Sequence, residues 1–163
     1  MKGSQIAEDS KLSDTIMDFL IGIPLFDGLE GIELNIVAKH MNIVKVKEKD
    51  VLFKEGDRGD FICFVLDGIV DVIKESAQGS HVVIATLRKG RSIGEMSVID
   101  DSPRSATARA RSTASLLTLT KRSFDTILSN QPKIGIKILK GLARLLSLNL
   151  RKTSGLLADY MLS

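Results

Sequence analysis

The chain has 163 residues, a length that suits one domain with a substantial core. Hydrophobic residues make up 44% and charged residues 26%, which is typical of a globular protein, and no apolar run approaches the roughly 20 residues of a membrane span. The single cysteine excludes an internal disulfide, and the acidic N-terminus excludes a signal peptide, so we expect a cytoplasmic protein without membrane contact.

Charge is distributed unevenly along the chain. Residues 1–103 carry 12 Lys or Arg against 18 Asp or Glu, net −6, and residues 104–163 carry 11 against 2, net +9. A basic C-terminal part can face nucleic acid or an acidic partner, or it can be the solvated face of a helix, which we favour. The positive charge also favours an anionic ligand.

The N-terminal part predicts short helices ahead of a β-rich region. Residues 1–10 are polar, and we expect them to be flexible. Residues 11–41 combine apolar residues at helical spacing with a turn-rich connector and predict N-terminal helices. From residue 42 to residue 120 the apolar period changes to two, and short β-branched and aromatic runs alternate with turns. Many short strands at close spacing indicate a sandwich or barrel.

A stretch at residues 93–108 has the parts of a small anion site. Gly94 lets the main chain approach a ligand closely, and the residues after it predict one helical turn whose free N–H groups face that side. Arg104 can fork onto two phosphate oxygens, and Ser105 adds a hydroxyl. Glu95 repels phosphate but suits a ribose hydroxyl. The alternative is a simple turn-helix connection in which Arg104 pairs with Glu95 or Asp101.

Residues 121–163 predict two further helices. Asn130-Gln131-Pro132 separates a short helix from a long one. Apolar residues of the long helix recur in steps of three and four and also cover a second face, which predicts a parallel homodimer through this helix. The alternative is a long helix that only packs on its own domain. Polar Asn149 falls inside the apolar seam, where it either contacts a ligand or sets the helix register.

Gly94-Glu95-Met96-Ser97 followed by Pro103-Arg104-Ser105-Ala106-Thr107 resembles the phosphate-binding cassette of the cyclic nucleotide-binding domain family, which includes the catabolite activator protein and kinase regulatory subunits. The resemblance implies a mainly β fold: an antiparallel jelly-roll-like barrel with N-terminal helices, a short cassette helix and a long C-terminal helix. Residues 11–163 then form a single, stand-alone domain.

The resemblance also implies a ligand and its binding residues. The ligand is cAMP or cGMP, and cAMP is favoured because Ser105 stands where cGMP-preferring members often carry Thr. The implied contacts are Gly94, Glu95, Met96, Ser97, Arg104, Ser105 and Ala106 in the cassette, Val72, Ile84, Ala85 and Leu87 on the barrel wall, and Asn149 on the C-terminal helix. No catalytic triad or metal-ligand spacing is present in the sequence, so we expect a non-catalytic receptor without a metal or cofactor.

The implied partners are the nucleotide, a second copy of the chain and a protein effector. Transcription regulators of the family continue past the long helix into a helix-turn-helix, and this sequence stops at Ser163, so we do not expect DNA as a partner. The alternative is that the sequence is a fragment of such a regulator.

Overall fold

A computed structural model describes residues 14–162. The expected flexible segment at residues 1–10 lies outside the described residues. Residues 14–21 form helix α1, and a 3-10 turn at Pro24–Phe26 precedes helix α2 at Gly31–Ala38. Glu30 caps α2 in a capping box, because its main-chain N–H donates to Glu33 Oε2 at 2.8 Å.

The described chain contains eight strands. They are β1 (Met41–Val46), β2 (Val51–Phe53), β3 (Phe61–Asp67), β4 (Val70–Glu75), β5 (His81–Leu87), β6 (Ser92–Ile93), β7 (Thr107–Ala110) and β8 (Ala114–Thr120). They form two antiparallel four-stranded sheets in the orders β1-β8-β3-β6 and β2-β7-β4-β5. The jelly-roll-like fold class is confirmed. Strand β1 begins at Met41, one residue before the expected boundary, since Met41 pairs with Leu119.

Two apolar clusters hold these layers together. The larger one packs the N-terminal helices and the C-terminal helices on the sheet that contains β1, β8 and β3. The smaller one lies between the two sheets and includes Phe53, Val72, Leu87 and Cys63. Burial raises the pKa of the Cys63 thiol to about 12, so this side chain behaves as a small apolar group.

Three more helices complete the chain: α3 (Glu95–Asp100), α4 (Lys121–Asn130) and α5 (Pro132–Leu162). Thr120 caps α4 by accepting a hydrogen bond from the main-chain N–H of Ser123 at 3.1 Å, and α5 begins at Pro132 as the sequence predicts. None of the helices in the described part combines the length and the apolar character needed to cross a lipid bilayer.

Core contacts anchor helix α5 only in its N-terminal half. Ile134, Ile138 and Leu142 are buried and Leu145 packs half-buried against the same cluster, whereas residues 147–162 are exposed. At Gly141 the helix crosses the 3-10 turn so closely that a Cβ would overlap the carbonyl oxygen of Leu25. The distal part of α5 therefore leaves the core and passes over one side of the barrel.

Candidate functional site

A cavity of about 460 Å³ lies between the barrel, helix α3 and helix α5. Its volume is in the range of small-molecule sites, roughly 300–1,000 Å³. All the residues that the sequence analysis assigned to a ligand site line this cavity: Gly94, Glu95, Met96, Ser97, Arg104, Ser105, Ala106, Val72, Ile84, Ala85, Leu87 and Asn149. The fold thus brings together three separate parts of the chain.

Gly94 and Arg104 are joined by a close contact that only glycine permits. Gly94 has φ +92°, a conformation that residues with a Cβ rarely adopt, and it immediately precedes α3. A Cβ at this position would overlap the Arg104 guanidinium. Arg104 Nη1 donates to the carbonyl oxygen of Gly94 at 2.9 Å, and Nη2 donates to that of Phe61 at 2.8 Å. The arginine therefore ties the start of α3 to strand β3.

Arg104 is buried among aromatic rings. Its side chain is 2% exposed, and its Cζ lies 4.1 Å from the ring centroid of Phe53 and 4.6 Å from that of Phe61. Burial lowers the pKa of this guanidinium, which nevertheless stays cationic as arginine does in proteins. Its Nε has no hydrogen-bond partner among the described residues.

The alternative pairing of Arg104 with an acidic side chain is not what the structure has. Two main-chain carbonyls take its hydrogen bonds, and Asp101 instead pairs with Lys121, whose Nζ lies 3.0 Å from its Oδ1. Within residues 14–162, no ion pair joins Arg104 to Glu95. The guanidinium therefore retains its full charge and spare N–H donors.

Glu95 is a buried carboxylate with one unused oxygen. It opens α3, is 7% exposed, and its Oε2 has no partner in the described part of the chain. Burial raises the pKa of the Glu95 carboxyl, and the charges of Arg104 and Arg91 act in the opposite direction more weakly. A buried acceptor of this kind requires a donor, because leaving it unpaired costs free energy.

The rest of the cassette is packed against the β2–β3 turn. Gly59 in this turn admits Ser97, since a Cβ at position 59 would overlap the serine side chain. Ser105 is exposed, and its Oγ lies 4.0 Å from Met96 Sδ. The Ser105 hydroxyl donates this hydrogen bond to a weak sulfur acceptor, so it can turn to a molecule in the cavity instead.

Helix α5 contributes more to the cavity than the sequence predicted. Beside the exposed Asn149, the residues Arg144, Leu148 and Lys152 line it, and so does Arg91 from the segment before β6. Four cationic side chains thus line the cavity against one carboxylate, that of Glu95. Helical spacing places residues 145, 152 and 153 on the same face as Asn149, and residue 148 on the same face as 145 and 152; this signal was available in the sequence.

Within the described residues, no cluster of three or more His, Cys, Asp or Glu side chains is arranged to hold a metal ion. The site offers instead a buried cation, a buried carboxylate, an apolar wall and a basic helix. This set of groups suits a small organic anion with a hydroxyl-bearing part.

The comparisons with known proteins agree with that class. The sequence model of the cyclic nucleotide-binding domain matches residues 43–131, which is more than half of the chain. The chain therefore belongs to the cyclic nucleotide-binding domain family, and the resemblance found in its sequence is confirmed.

Individual relatives extend the match. A cAMP-dependent protein kinase regulatory subunit of Blastocladiella emersonii is 32% identical over 110 residues, which are 68% of this chain and 27% of that protein. A cyclic nucleotide-binding domain from Methylobacillus flagellatus is 31% identical, with a TM-score of 0.82 over 92% of this chain and 84% of that one. The catabolite activator protein of Thermus thermophilus is 28% identical, with a TM-score of 0.75 over 85% of this chain and 62% of that one.

This chain is thus related to kinase regulatory subunits and to the catabolite activator protein. It spans only 27–33% of the first curated regulatory subunits that it matches. The activities and partners of those whole proteins are therefore not assigned to this chain.

Proposed function

We propose that this domain is a non-catalytic receptor for a cyclic purine nucleotide, that cAMP is preferred over cGMP, and that the cavity beneath α5 is the binding site. The observation that carries the proposal is a pair of buried, unpaired polar atoms, Glu95 Oε2 and Arg104 Nε, in two residues that line one cavity. A carboxylate oxygen needs a donor such as a ribose hydroxyl, and a guanidinium N–H needs an acceptor such as a phosphate oxygen. A cyclic nucleotide carries both groups side by side, because its phosphate closes back on its own ribose.

The remaining walls suit the other parts of such a ligand. Val72 and Leu87 are buried and Ile84 is exposed toward the cavity, so together they offer apolar contact to the sugar and base. Asn149 on α5 carries an amide that can donate to and accept from the N6/N7 edge of adenine. The preference for cAMP is supported by this amide and by Ser105, the residue that follows Arg104.

Titration calorimetry with cAMP, cGMP and ATP tests the proposal. We expect cAMP to bind most tightly, and Arg104→Ala to weaken it by about 2–5 kcal/mol, because a buried phosphate charge loses its partner. Arg104→Lys keeps the charge without the fork and should give an intermediate loss. Arg109→Ala is the matched control, since Arg109 is exposed on β7 and does not line the cavity. The proposal is contradicted if wild type binds none of the three nucleotides. Equal cAMP affinities of wild type and Arg104→Ala show that the nucleotide binds elsewhere.

Ligand binding is coupled to α5 in this proposal. The nucleotide contacts the rigid cassette and also Asn149 on the unanchored part of the helix, so it favours the helix position in which both contacts form. The resulting change in α5 is the signal that a protein effector reads.

The same helix supports a parallel homodimer. Leu150 and Leu157 are exposed, lie seven residues apart and do not line the cavity, so they form a separate apolar face. Sedimentation equilibrium tests this part: we expect a dimer for wild type and a monomer for Leu150→Glu with Leu157→Glu. A wild-type monomer at high concentration excludes the dimer and leaves nucleotide binding intact.

A further inference from the structure

Lys74 on strand β4 makes two strong contacts just outside the cavity. Its Nζ donates to Glu55 Oε1 at 2.5 Å and to the main-chain carbonyl oxygen of Ser105 at 2.7 Å. Its side chain is 47% exposed, and it is not among the residues that line the cavity. Ser105, by contrast, lines the cavity and follows Arg104 directly.

The geometry of a peptide bond gives this contact a consequence inside the cavity. No cis peptide bond is present in the described chain, and in a trans peptide the C=O and the following N–H point in opposite directions. The carbonyl of Ser105 faces Lys74, so the N–H of Ala106 faces away from Lys74. Ser105 and Ala106 both line the cavity and Lys74 does not, so an N–H that faces away from Lys74 is in a position to meet a ligand there.

We propose that Lys74 is a positioning residue for the nucleotide phosphate: it holds and polarises the Ser105–Ala106 peptide so that the Ala106 N–H donates to a phosphate oxygen. This inference rests on the proposed function. The ammonium acts on the carbonyl end, and the effect is expressed at the amide end, because a peptide whose C=O accepts a charge-assisted hydrogen bond is a stronger donor through its N–H.

The neighbouring hydrogen bonds do not hold the Ser105–Ala106 peptide in place of Lys74. The N–H of Gly56 donates to the carbonyl of Arg104 at 2.9 Å, and the N–H of Arg104 donates to the carbonyl of Asp57 at 2.8 Å. The N–H of Glu55 donates to Thr107 Oγ1 at 2.9 Å. These bonds fix positions 104 and 107 on the β2–β3 turn, but none of them reaches the peptide between Ser105 and Ala106.

Glu55 holds the Lys74 ammonium in place. Its hydrogen bond with Lys74 lowers the pKa of the Glu55 carboxyl, so this group stays ionised and keeps the ammonium in place. Lys74 is paired with Val82 of β5, and the pairing of β4 with β7 reaches its neighbour Ile73, which gives Lys74 a rigid base.

The test compares Lys74→Met, Lys74→Arg and wild type with cAMP and its two phosphorothioate diastereomers, in which sulfur replaces one exocyclic phosphate oxygen. We expect Lys74→Met to weaken cAMP about tenfold. We also expect it to shrink the discrimination that wild type shows against the less favoured phosphorothioate, because the N–H that senses this oxygen is no longer aligned. Lys74→Arg, which can donate to both acceptors, should restore most of the affinity and the discrimination.

Lys45→Met is the matched control, because Lys45 is an exposed strand lysine in the other sheet. If Lys74 has a purely structural role, Lys74→Met lowers Tm and weakens the binding of all three ligands equally. Unchanged phosphorothioate discrimination in Lys74→Met therefore overturns the inference, and so does unchanged cAMP affinity. Absence of cAMP binding to wild type overturns the proposed function itself and, with it, this role. Failure of Lys74→Arg to restore discrimination also counts against it.

Discussion

Replacing Glu95 with glutamine should make the ligand-free protein more stable and its complex with cAMP weaker. Glu95 is buried with one unpaired oxygen, and burial raises the pKa of its carboxyl. The carboxylate is therefore a destabilising group in the absence of a ligand. Glutamine keeps nearly the same shape and an acceptor oxygen but carries no charge to desolvate.

The pH dependence has a defined sign. The folded chain holds the Glu95 proton more tightly than the unfolded chain, so between the two pKa values the folded state binds more protons. Its free energy of unfolding is highest below the unfolded pKa, falls as the pH rises toward the folded pKa, and levels off above it. Glu95→Gln lacks this loss, so its advantage over wild type should grow with pH. The scale of the effect is the cost of a buried polar group without a partner, about 1–3 kcal/mol. Each kcal/mol corresponds to about 2–4 °C in Tm for a chain of this size.

The assay is urea unfolding of wild type and Glu95→Gln from pH 4 to pH 8, with and without saturating cAMP. Without a ligand the variant should be the more stable protein at neutral pH. With cAMP, the difference in free energy of unfolding between variant and wild type should shrink or change sign. The reason is that a neutral acceptor holds the ribose hydroxyl less strongly, so cAMP affinity falls about tenfold. Glu48→Gln, at an exposed carboxylate in the β1–β2 turn, is the control. A stability difference that does not change with pH refutes the reasoning, since desolvation of the charged form then has no part in it.

Two further results follow from helix α5. Gly141→Ala should lower Tm and weaken cAMP binding, because the added Cβ overlaps the 3-10 turn and moves the helix. Gly155→Ala, whose Cβ meets nothing within 4 Å, should raise stability by up to about 1 kcal/mol. Thermal melts and cAMP titrations of the two variants measure these effects. Arg144→Gln with Lys152→Gln should reduce cAMP affinity several-fold at low salt and less at high salt, which titrations between 50 mM and 500 mM NaCl measure. Equal melts for the two glycine variants, or a salt-independent loss in the double variant, would contradict these expectations.

The sequence predicted the fold because its local signals agree with one another. The change of apolar period at residue 42 lies one residue from the observed start of β1, and Pro132 begins α5 as expected. The two-residue strand β6 was missed, since Ser92–Ile93 is too short to show a period and is defined only by its pairing with β3. Tertiary contact, and not local preference, forms such a strand.

The residues of the site were predictable by motif, but their contacts were not. Gly94, Glu95 and Arg104 carry a recognisable pattern, and the structure brings them to one cavity. The two aromatic rings around Arg104 come from β2 and β3, far away in sequence, so its burial depends on the assembled sheets. Lys74 gave no signal at all, because its role depends on which carbonyl lies opposite it after folding.

The two sides of the cavity differ in how firmly the core holds them, and the proposed response to a ligand depends on this difference. On one side, Arg104 is held by two carbonyls and two rings, and the cassette is bonded to the β2–β3 turn, so protein contacts alone build this side of the cavity. On the other side, core contacts hold α5 only as far as Leu145, and the exposed residues 147–162 include several that line the cavity. A ligand can shift an equilibrium only by its different affinity for two states. Under the proposed function, contacts to the fixed side add the same affinity for every position of α5, so we expect the contacts of Arg144, Asn149 and Lys152 to determine how strongly a nucleotide moves the helix.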